Sequence, residues 1–346
     1  MRILHVIQEL LPGGAERILV SAYRGAREAG HDVFVAAAPG PVADELDTEP
    51  YPLPVVRRRV SKLPSTAAGI RHAVRETQPD VIHAHNPTMA LATGLVTFRG
   101  RRPPGLVSLH GAPEQDWPAA VRLVRLSGLA PVACGPGVEA ALEHHGLPPL
   151  ATVPNAVSPA PAPAGREELG LEPGMRLVLA VGRLVEQKNH ALAIRAIAEV
   201  PGATLAIAGQ GELRDELERL ADATGVRDRV RLLGLRPDAR ALMGAADVVV
   251  MPSRSEGLPL AALEALASGT PLVTTDVRGL RELLTNEQNA LLVPEDPHAL
   301  AAALRRVLDD PALGARLAAA GKDVEGAGSD DRLIARFLEL YEKLAA

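Results

Sequence analysis

The stretch Glu256–Pro271, EGLPLAALEALASGTP, is the most informative part of this sequence. Pro259 suits the first turn of a helix, which predicts Glu256 in the preceding loop and Glu264 inside the helix. The rise from Pro259 to Glu264 is roughly 7–8 Å, so the two carboxylates can hold two different parts of one extended ligand. The plainer alternative is a capping carboxylate followed by a solvent-exposed helix glutamate.

The segment Gly182–Asn189, GRLVEQKN, follows an apolar run and contains Arg183 and Lys188. A planar guanidinium and a point-like ammonium can clamp a diphosphate and offset the charge that develops on a leaving pyrophosphate. Two solvated surface cations are an equally weighted alternative for these residues.

Gly13 and Gly14 follow the first apolar run and open a helix. Glycines there let backbone N–H groups and the positive helix end approach a phosphate. The segment lacks the G-x-G-x-x-G dinucleotide fingerprint, so taken alone it favours a plain strand-to-helix turn.

Histidines mark the ends of two predicted strands. His110 follows one of them, where an imidazole can donate, accept or exchange a proton. His83 and His85 end the preceding strand, and three neighbouring histidines raise the question of zinc. Because no H-E-x-x-H or other carboxylate partner accompanies them, we do not expect a metal.

Composition excludes several classes of protein. The net charge is −5 and aromatic residues make up 2%, which disfavours a protein that coats or stacks on nucleic acid. A lone cysteine excludes an intramolecular disulfide. No signal peptide is visible, and the apolar run Met89–Phe98 is about half of the ~20 residues that span a bilayer, so we expect a cytoplasmic protein.

The chain of 346 residues alternates short apolar runs with helical stretches, which predicts two parallel-sheet α/β domains. The Pro/Ala-rich seam Leu147–Gly170 favours an N-terminal domain at 1–157, a C-terminal domain at 158–328 and a terminal helix at 329–346. The predicted strands are Arg2–Ile7, Asp32–Ala37, Asp80–His83, Leu106–Leu109, Leu177–Val181, Thr204–Ala208, Val230–Leu233, Asp247–Met251 and Pro271–Thr274.

Absent motifs narrow the chemistry further. The sequence contains no D-x-D pair, no G-x-x-x-x-G-K-[ST] loop and no G-x-S-x-G elbow. The sequence therefore favours a site that binds phosphate through arginine, lysine and helix N-termini, without a metal.

The ordered set of motifs resembles the retaining GT-B glycosyltransferases of family 4, the glycogen-synthase-like group. It covers nearly the whole chain: PGGAER, DVIHAH, SLHG, VPNAV, GRLVEQKN, AGQGE, VRLLG, MPSRSEGLPLAALEALASGTPLVTTD and NALLVP. The resemblance implies an α/β fold of two Rossmann-like domains facing across a cleft, with the terminal helix crossing back to the first domain. Ala156 and Ala290 stand where the family usually has glycine, which puts local turn geometry in doubt.

The resemblance also implies a role for each matching residue. Glu264 would bind the donor ribose, Glu256 the transferred hexose, and Arg183 and Lys188 the diphosphate. The remaining donor contacts would be Gly13, Gly14, Leu235 against the base, and the backbone of Gly257, Leu258 and Pro259, with His110 beside the sugar. The acceptor hydroxyl would attack the face that the nucleotide leaves, so no covalent role is expected for Glu256.

The implied partners are a nucleotide-diphosphate sugar, most simply a UDP- or GDP-sugar, and an acceptor that is a small molecule, a glycan or a lipid-linked sugar. No resident cofactor, metal or nucleic acid is expected. A nucleotide-sugar 2-epimerase of the same architecture and a non-catalytic nucleotide-sugar binder are the alternatives. The epimerase pattern lacks the GRLVEQKN and EGLPLAALE pair, and an intact residue set argues against a decayed site.

The N-terminal half also carries a locally basic surface. It comprises Val55–Lys62 with Arg99, Arg101 and Arg102, and the stretch Trp117–Leu126 adds Trp117, Arg122 and Arg125 on a predicted helix. Such a surface suits an anionic lipid or acceptor. Solvated loops are the favoured interpretation, so peripheral membrane contact is not the primary expectation.

Overall fold

The computed structural model describes residues 1–55, 62–97, 103–112, 114–169 and 174–346. The chain forms two compact units: unit 1 comprises Met1–Asn155 and Asp330–Ala346, and unit 2 comprises Ala156–Ser329. Most of the predicted basic surface, at 56–61 and 98–102, lies outside the described residues.

Unit 1 contains a parallel sheet with helices packed against it. Its strands are β1 (Arg2–Glu9), β2 (Asp32–Ala38), β3 (Tyr51–Pro52), β4 (Val81–Ala84), β5 (Gly105–Leu109), β6 (Ala130–Ala133) and β7 (Ala151–Thr152). Its helices are α1 (Gly14–Glu28), α2 (Leu63–Thr77), α3 (Pro87–Thr97), α4 (Trp117–Ser127), α5 (Pro136–His144) and α13 (Asp331–Ala345). The sheet order is β3-β2-β1-β4-β5-β6-β7, with every pair parallel.

Unit 2 repeats this plan. Its strands are β8 (Arg176–Val181), β9 (Ala203–Ala208), β10 (Val230–Gly234), β11 (Val248–Met251), β12 (Leu272–Thr275) and β13 (Leu291–Val293). Its helices are α6 (His190–Ala198), α7 (Arg214–Ala223), α8 (Ala239–Ala245), α9 (Leu260–Ser268), α10 (Arg278–Arg281), α11 (Pro297–Asp309) and α12 (Pro311–Lys322). The sheet order is β10-β9-β8-β11-β12-β13, again all parallel.

The strands of unit 2 are buried on both faces. Every residue of β9 is buried, and Leu177–Ala180 of β8 are fully inaccessible to solvent. Helices cover both faces, so one strand needs apolar side chains at successive positions rather than at alternate ones. This explains why the short apolar runs are such strong strand signals, and it confirms the predicted α/β class.

Strand order reverses between β8 and β11 in unit 2. In open parallel sheets the loops leaving two such neighbouring strands diverge and create a crevice at their carboxyl ends. The segments that leave β8 and β11 are those that carry Arg183, Lys188 and Glu256. The topology therefore places the predicted phosphate-binding segments at the position where this fold binds ligands.

The chain's last helix, α13, completes the core of unit 1. Leu333, Phe337, Leu340 and Tyr341 are buried along one face, at the spacing that a helix lying on a core requires. The helix packs on α1, where Gly25 leaves room for its side chains.

The nine predicted strands are all confirmed, with ends that differ by at most two residues. The structure adds four short strands that the sequence analysis does not predict: β3, β6, β7 and β13, each of two to four residues. The expectation that Trp117 belongs to an exposed surface is wrong, since it is 4% exposed and packs inward from α4. No helix within the described ranges has the length and apolar character needed to span a bilayer.

Candidate functional site

The loop after β8 presents the first two predicted cations. Gly182 has a φ of +159°, and the exposed Arg183 follows it directly. Lys188 closes a short 3-10 turn, Glu186–Lys188, and Asn189 then takes a left-handed conformation (φ 48°) before α6 begins. The cations therefore lie on an irregular loop rather than within the first turn of a helix.

Lys188 and Glu256 form an ion pair, although they are far apart in sequence. The distance from Lys188 Nζ to Glu256 Oε1 is 2.6 Å, and the side chains are only 18% and 6% exposed. Pairs this shielded are screened by solvent much less than surface pairs. Two predicted donor-binding residues thus neutralise each other across the gap between the β8 and β11 loops.

Further contacts brace the two loops. Gln187 donates its side-chain amide to the carbonyl of Ser255 at 2.9 Å, and the backbone N–H of Arg254 donates to the carbonyl of Gln187 at 2.9 Å. Glu295 accepts hydrogen bonds from Arg254 and Asn189 at 2.8 and 3.0 Å. The Lys188–Glu256 pair is therefore held by a network rather than by two free side chains.

The helix α9 carries Glu264, the second of the two carboxylates in the stretch Glu256–Pro271. It begins at Leu260, so Pro259 occupies the capping position, one residue earlier than expected, and Gly257 and Leu258 lie in the loop before it. Glu264 lies within the helix, as the sequence predicts, and its side chain is 12% exposed. Its Oε1 is 3.6 Å from Nε of Arg240 on α8.

Two glycines that the sequence analysis did not assign allow the loops to approach other backbone segments. A Cβ on Gly279 would lie 1.8 Å from the carbonyl oxygen of Gly257, and one on Gly209 would lie 1.8 Å from that of Gly182. Only glycine tolerates such contacts without moving the neighbouring chain. The signal for Gly209 was its place in AGQGE directly after a predicted strand, whereas Gly279 lies in no recognisable motif.

The remaining donor-site residues are dispersed. Leu235 follows the edge strand β10 and is 37% exposed. In unit 1, Gly13 caps α1 and Gly14 is its first residue. The Glu16 carboxylate lies against Gly13, since a Cβ there would be 2.5 Å from Glu16 Oε2. A carboxylate therefore occupies the helix end that was expected to face a phosphate.

Unit 1 also gathers four histidines. His5 and His83 are register partners on β1 and β4, His85 follows β4, and His110 follows β5. The rings of His85 and His110 are parallel, with centroids 6.2 Å apart, and neither ring nitrogen of His110 has a partner in the described part of unit 1. Burial lowers the pKa of His110 to about 4, so its imidazole is neutral at neutral pH.

The trio His5, His83 and His85 has nitrogen atoms within 4.8 Å of one another and is fully buried. His83 bonds to Tyr341 Oη at 2.7 Å and to Ser108 Oγ at 2.8 Å, so both of its ring nitrogens are engaged. Its ring stacks on His85 with centroids 4.0 Å apart. His5 Nδ1 lies 3.0 Å from His85 Nε2, whereas His5 Nε2 and His85 Nδ1 have no hydrogen-bond partner among the described residues. The three side chains are therefore close enough to hold a metal ion, and four of their six ring nitrogens are engaged in hydrogen bonds.

The backbone conformation at Ala156 and Ala290, where the family usually has glycine, is compatible with alanine. Ala156 and Ala290 are not among the residues with positive φ, so their backbone angles do not require glycine.

Within unit 2, the structure brings Lys188 and Glu256 into direct contact and places Glu264 beside Arg240. It leaves Arg183 and Leu235 accessible to solvent in the same unit.

Comparisons with known proteins show which families and structures the chain is similar to. A model of group 1 glycosyl transferases matches residues 163–324, and a model of glycosyltransferase family 4 matches residues 12–160. The chain is 36% identical over 187 residues to the lipopolysaccharide core biosynthesis glycosyltransferase LpsD of Rhizobium meliloti, covering 54% of each protein. It is 34% identical over 275 residues to glycogen synthase of Mycobacterium tuberculosis, covering 72% of this chain and 64% of that one.

In three of the curated relatives, including LpsD, the matched region spans about half of the relative's length or less. Among solved structures, HepE of Anabaena, crystallised with UDP-glucose, superimposes with a TM-score of 0.84 at 22% identity, covering 99% of this chain and 100% of that one. This likeness shows that the chain has the GT-B fold. Because the two family models together account for nearly the whole sequence, the chain belongs to the group 1, family 4 glycosyltransferases.

Proposed function

We propose that this protein transfers a hexosyl group from a nucleotide-diphosphate sugar to an acceptor hydroxyl, with retention of anomeric configuration and without a metal. The observation that carries the proposal is the shielded Lys188–Glu256 pair at the point where strand order reverses, with the exposed Arg183 on the same loop. This arrangement offers cations to a diphosphate and a carboxylate to sugar hydroxyls within one hydrogen-bonded frame.

Each part of the donor is assigned to residues with matching chemistry. Arg183 and Lys188 bind the diphosphate, Glu256 binds a hexose hydroxyl, Glu264 binds the ribose hydroxyls, and Leu235 contacts the base. The other proposed donor contacts are the backbone of Gly257, Leu258 and Pro259 in unit 2 and Gly13, Gly14 and His110 in unit 1.

The proposed reaction breaks the bond between the anomeric carbon and the phosphate oxygen and forms one from that carbon to the acceptor oxygen. The electron pair of the broken bond leaves with the nucleoside diphosphate, and the acceptor proton passes to the departing phosphate. Arg183 and Lys188 lower the barrier because they offset the charge that grows on that leaving group. Attack on the face that the nucleotide leaves retains the anomeric configuration.

The site chemistry supports a mechanism without a protein nucleophile. Glu256 is held by Lys188, so its carboxylate is suited to orienting hydroxyls rather than to attacking carbon. His110 is a neutral imidazole at neutral pH because burial lowers its pKa to about 4. In this proposal it donates a hydrogen bond to the hexose and does not act as a general acid.

UDP is the first nucleotide to test, because HepE was crystallised with UDP-glucose and a similar Escherichia coli protein is named as a UDP-Gal-dependent galactosyltransferase. Thermal-shift titrations with UDP, GDP and ADP, each with and without EDTA, identify the base and test for a metal. We expect one nucleotide to give a saturable shift that EDTA leaves unchanged. Binding that EDTA abolishes and Mg²⁺ restores would contradict the metal-free reaction.

Turnover is tested without knowing the acceptor, by following slow hydrolysis of the donor with water as the acceptor. For UDP-glucose, proton NMR of the sugar first released should show the α anomer before it equilibrates. Lys188→Met should abolish the release, whereas Arg195→Met, which removes an exposed cation from the neighbouring helix α6, should not. Initial release of the β anomer would overturn retention, and binding without any release would favour a non-catalytic binder.

A further inference from the structure

Arg240 lies beside Glu264, on helix α8, and belongs to none of the family motifs. Its side chain is 21% exposed, and Nε lies 3.6 Å from Glu264 Oε1. Its Nη2 donates to the carbonyls of Ser158 and Pro159 at 2.6 and 3.0 Å, and Nη1 reaches Ser158 Oγ at 3.3 Å. All these residues belong to unit 2.

These contacts fix the orientation of the guanidinium group. Nη2 is anchored on the backbone carbonyls of Ser158 and Pro159, and Nη1 on the hydroxyl of Ser158. Because a guanidinium is planar, these two nitrogens determine where the third points. That third nitrogen, Nε, is buried, has no hydrogen-bond partner among the described residues, and faces the Glu264 carboxylate. A buried donor without a partner is costly, and a small movement of Glu264 would satisfy it.

We infer that Arg240 is a positioning residue: it holds the Glu264 carboxylate towards the ribose hydroxyls and so makes the enzyme select ribonucleotide donors over 2′-deoxyribonucleotide donors. The inference rests on the proposed role of Glu264 in the donor site. Ribose binding closes the 3.6 Å gap, since a carboxylate that accepts from a hydroxyl on one oxygen is steadied by the guanidinium on the other. A donor that lacks the 2′-hydroxyl cannot donate this hydrogen bond to the carboxylate, and sites built for a hydroxyl reject such analogues.

The test compares affinities for UDP and 2′-deoxy-UDP by isothermal titration calorimetry, or for GDP or ADP and its 2′-deoxy form if that base is the one bound. The variants are Arg240→Met, Arg240→Lys, Glu264→Gln and the double variant Arg240→Met/Glu264→Gln. Arg229→Met is the matched control, because Arg229, like Arg240, donates to backbone carbonyls of unit 2; its acceptors are those of Ile197, Val200 and Ala203.

The wild type should bind UDP about tenfold more tightly than 2′-deoxy-UDP, as expected for one charge-assisted hydrogen bond. Arg240→Met should lose most of that preference by weakening UDP binding alone, and Arg240→Lys should retain part of it. Adding Arg240→Met to Glu264→Gln should change nothing more, because both act on the same contact. Arg229→Met should keep the wild-type ratio even if it melts earlier.

The outcomes separate this inference from the proposed function. If Arg240→Met weakens both nucleotides equally, or neither, the positioning role is overturned while the donor site stands. If the wild type binds the nucleotide but does not distinguish the 2′-deoxy form, the ribose role of Glu264 fails and Arg240 loses its function with it. If no nucleotide binds the wild type, the proposed function itself is refuted.

Discussion

Replacing Glu256 by glutamine should separate donor binding from transfer, with effects of opposite sign. In the free protein Lys188 is bonded to Glu256 at 2.6 Å, so a diphosphate has to compete with this carboxylate for the ammonium. Glutamine removes the competing charge while preserving side-chain size. We therefore expect Glu256→Gln to bind UDP more tightly than the wild type and to lose donor hydrolysis and transfer.

The size of the gain follows from the pair's environment. A charge-assisted hydrogen bond contributes about 1.5–3 kcal/mol, and an ammonium with three donors can keep part of it when phosphate binds. If about half is given up on binding, removing the competitor strengthens UDP affinity by about 0.7–1.5 kcal/mol, or about 3- to 12-fold. Without nucleotide, the Glu256→Gln variant should have a Tm a few degrees below that of the wild type, since Lys188 loses its charged partner.

Calorimetric titration with UDP at low and high salt measures the affinity, and NMR of released sugar measures turnover. Glu295→Gln is the matched control: it removes one carboxylate that contacts Asn189 and Arg254 instead of Lys188. It should shift UDP affinity less than twofold. The reasoning is refuted if Glu256→Gln weakens UDP binding as strongly as Lys188→Met does, or if the two glutamine variants behave alike.

Three other perturbations test the donor loop and the core of unit 1. Gly279→Ala places a methyl group against the carbonyls of Glu256 and Gly257. The variant should bind UDP at least tenfold more weakly, while its circular dichroism spectrum shows no loss of secondary structure. If it binds UDP with wild-type affinity, the contact between Gly279 and this loop does not shape the donor site. Lowering the pH from 7 to 5 should reduce the free energy of unfolding by about 2 kcal/mol through His110 alone, because the unfolded pKa near 6.5 exceeds the folded value of about 4. The stability contributed by neutral His110 is fully present above pH 6.5 and is lost as the pH falls towards 4. In urea titrations, the free energy of unfolding of His110→Gln should therefore fall less steeply with decreasing pH than that of the wild type. An equal fall in the two proteins would argue against a lowered pKa for His110. Tyr341→Phe leaves a buried nitrogen of His83 without its partner and should lower urea stability by about 1–3 kcal/mol, whereas an unchanged midpoint would mean that the bond contributes nothing.

Sequence predicted the fold well because its signals are local. Strands buried on both faces appear as continuous apolar runs, and helices begin next to recognisable residues such as Pro259, the residue before α9. The two-residue strands β3 and β7 carry no such signal, because they are too short to show a pattern. They are formed by pairing with the neighbouring strand at the sheet edge, which only the folded unit provides.

The contacts within the candidate site could not be predicted from the sequence. Motifs identified Lys188 and Glu256 separately, yet nothing in their spacing predicts an ion pair between loops from different strands. Arg240 and Gly279 carry no motif, since one acts through a neighbouring carboxylate and the other through the absence of a side chain. The burial of Trp117 was missed because an aromatic residue between arginines looks like a surface feature.

The placement of α13 has a consequence for how the protein is made. Residues 156–329 form unit 2, and the chain then returns at Asp330 to supply the helix whose Tyr341 bonds to His83, a partner 258 residues upstream. During synthesis, unit 1 therefore leaves the ribosome first and yet waits for residues 330–346 before its histidine cluster is covered. Unit 2 has all of its strands available earlier. The nascent chain is thus expected to complete its second unit before its first, with the exposed face of β4 as a binding site for chaperones in the interval.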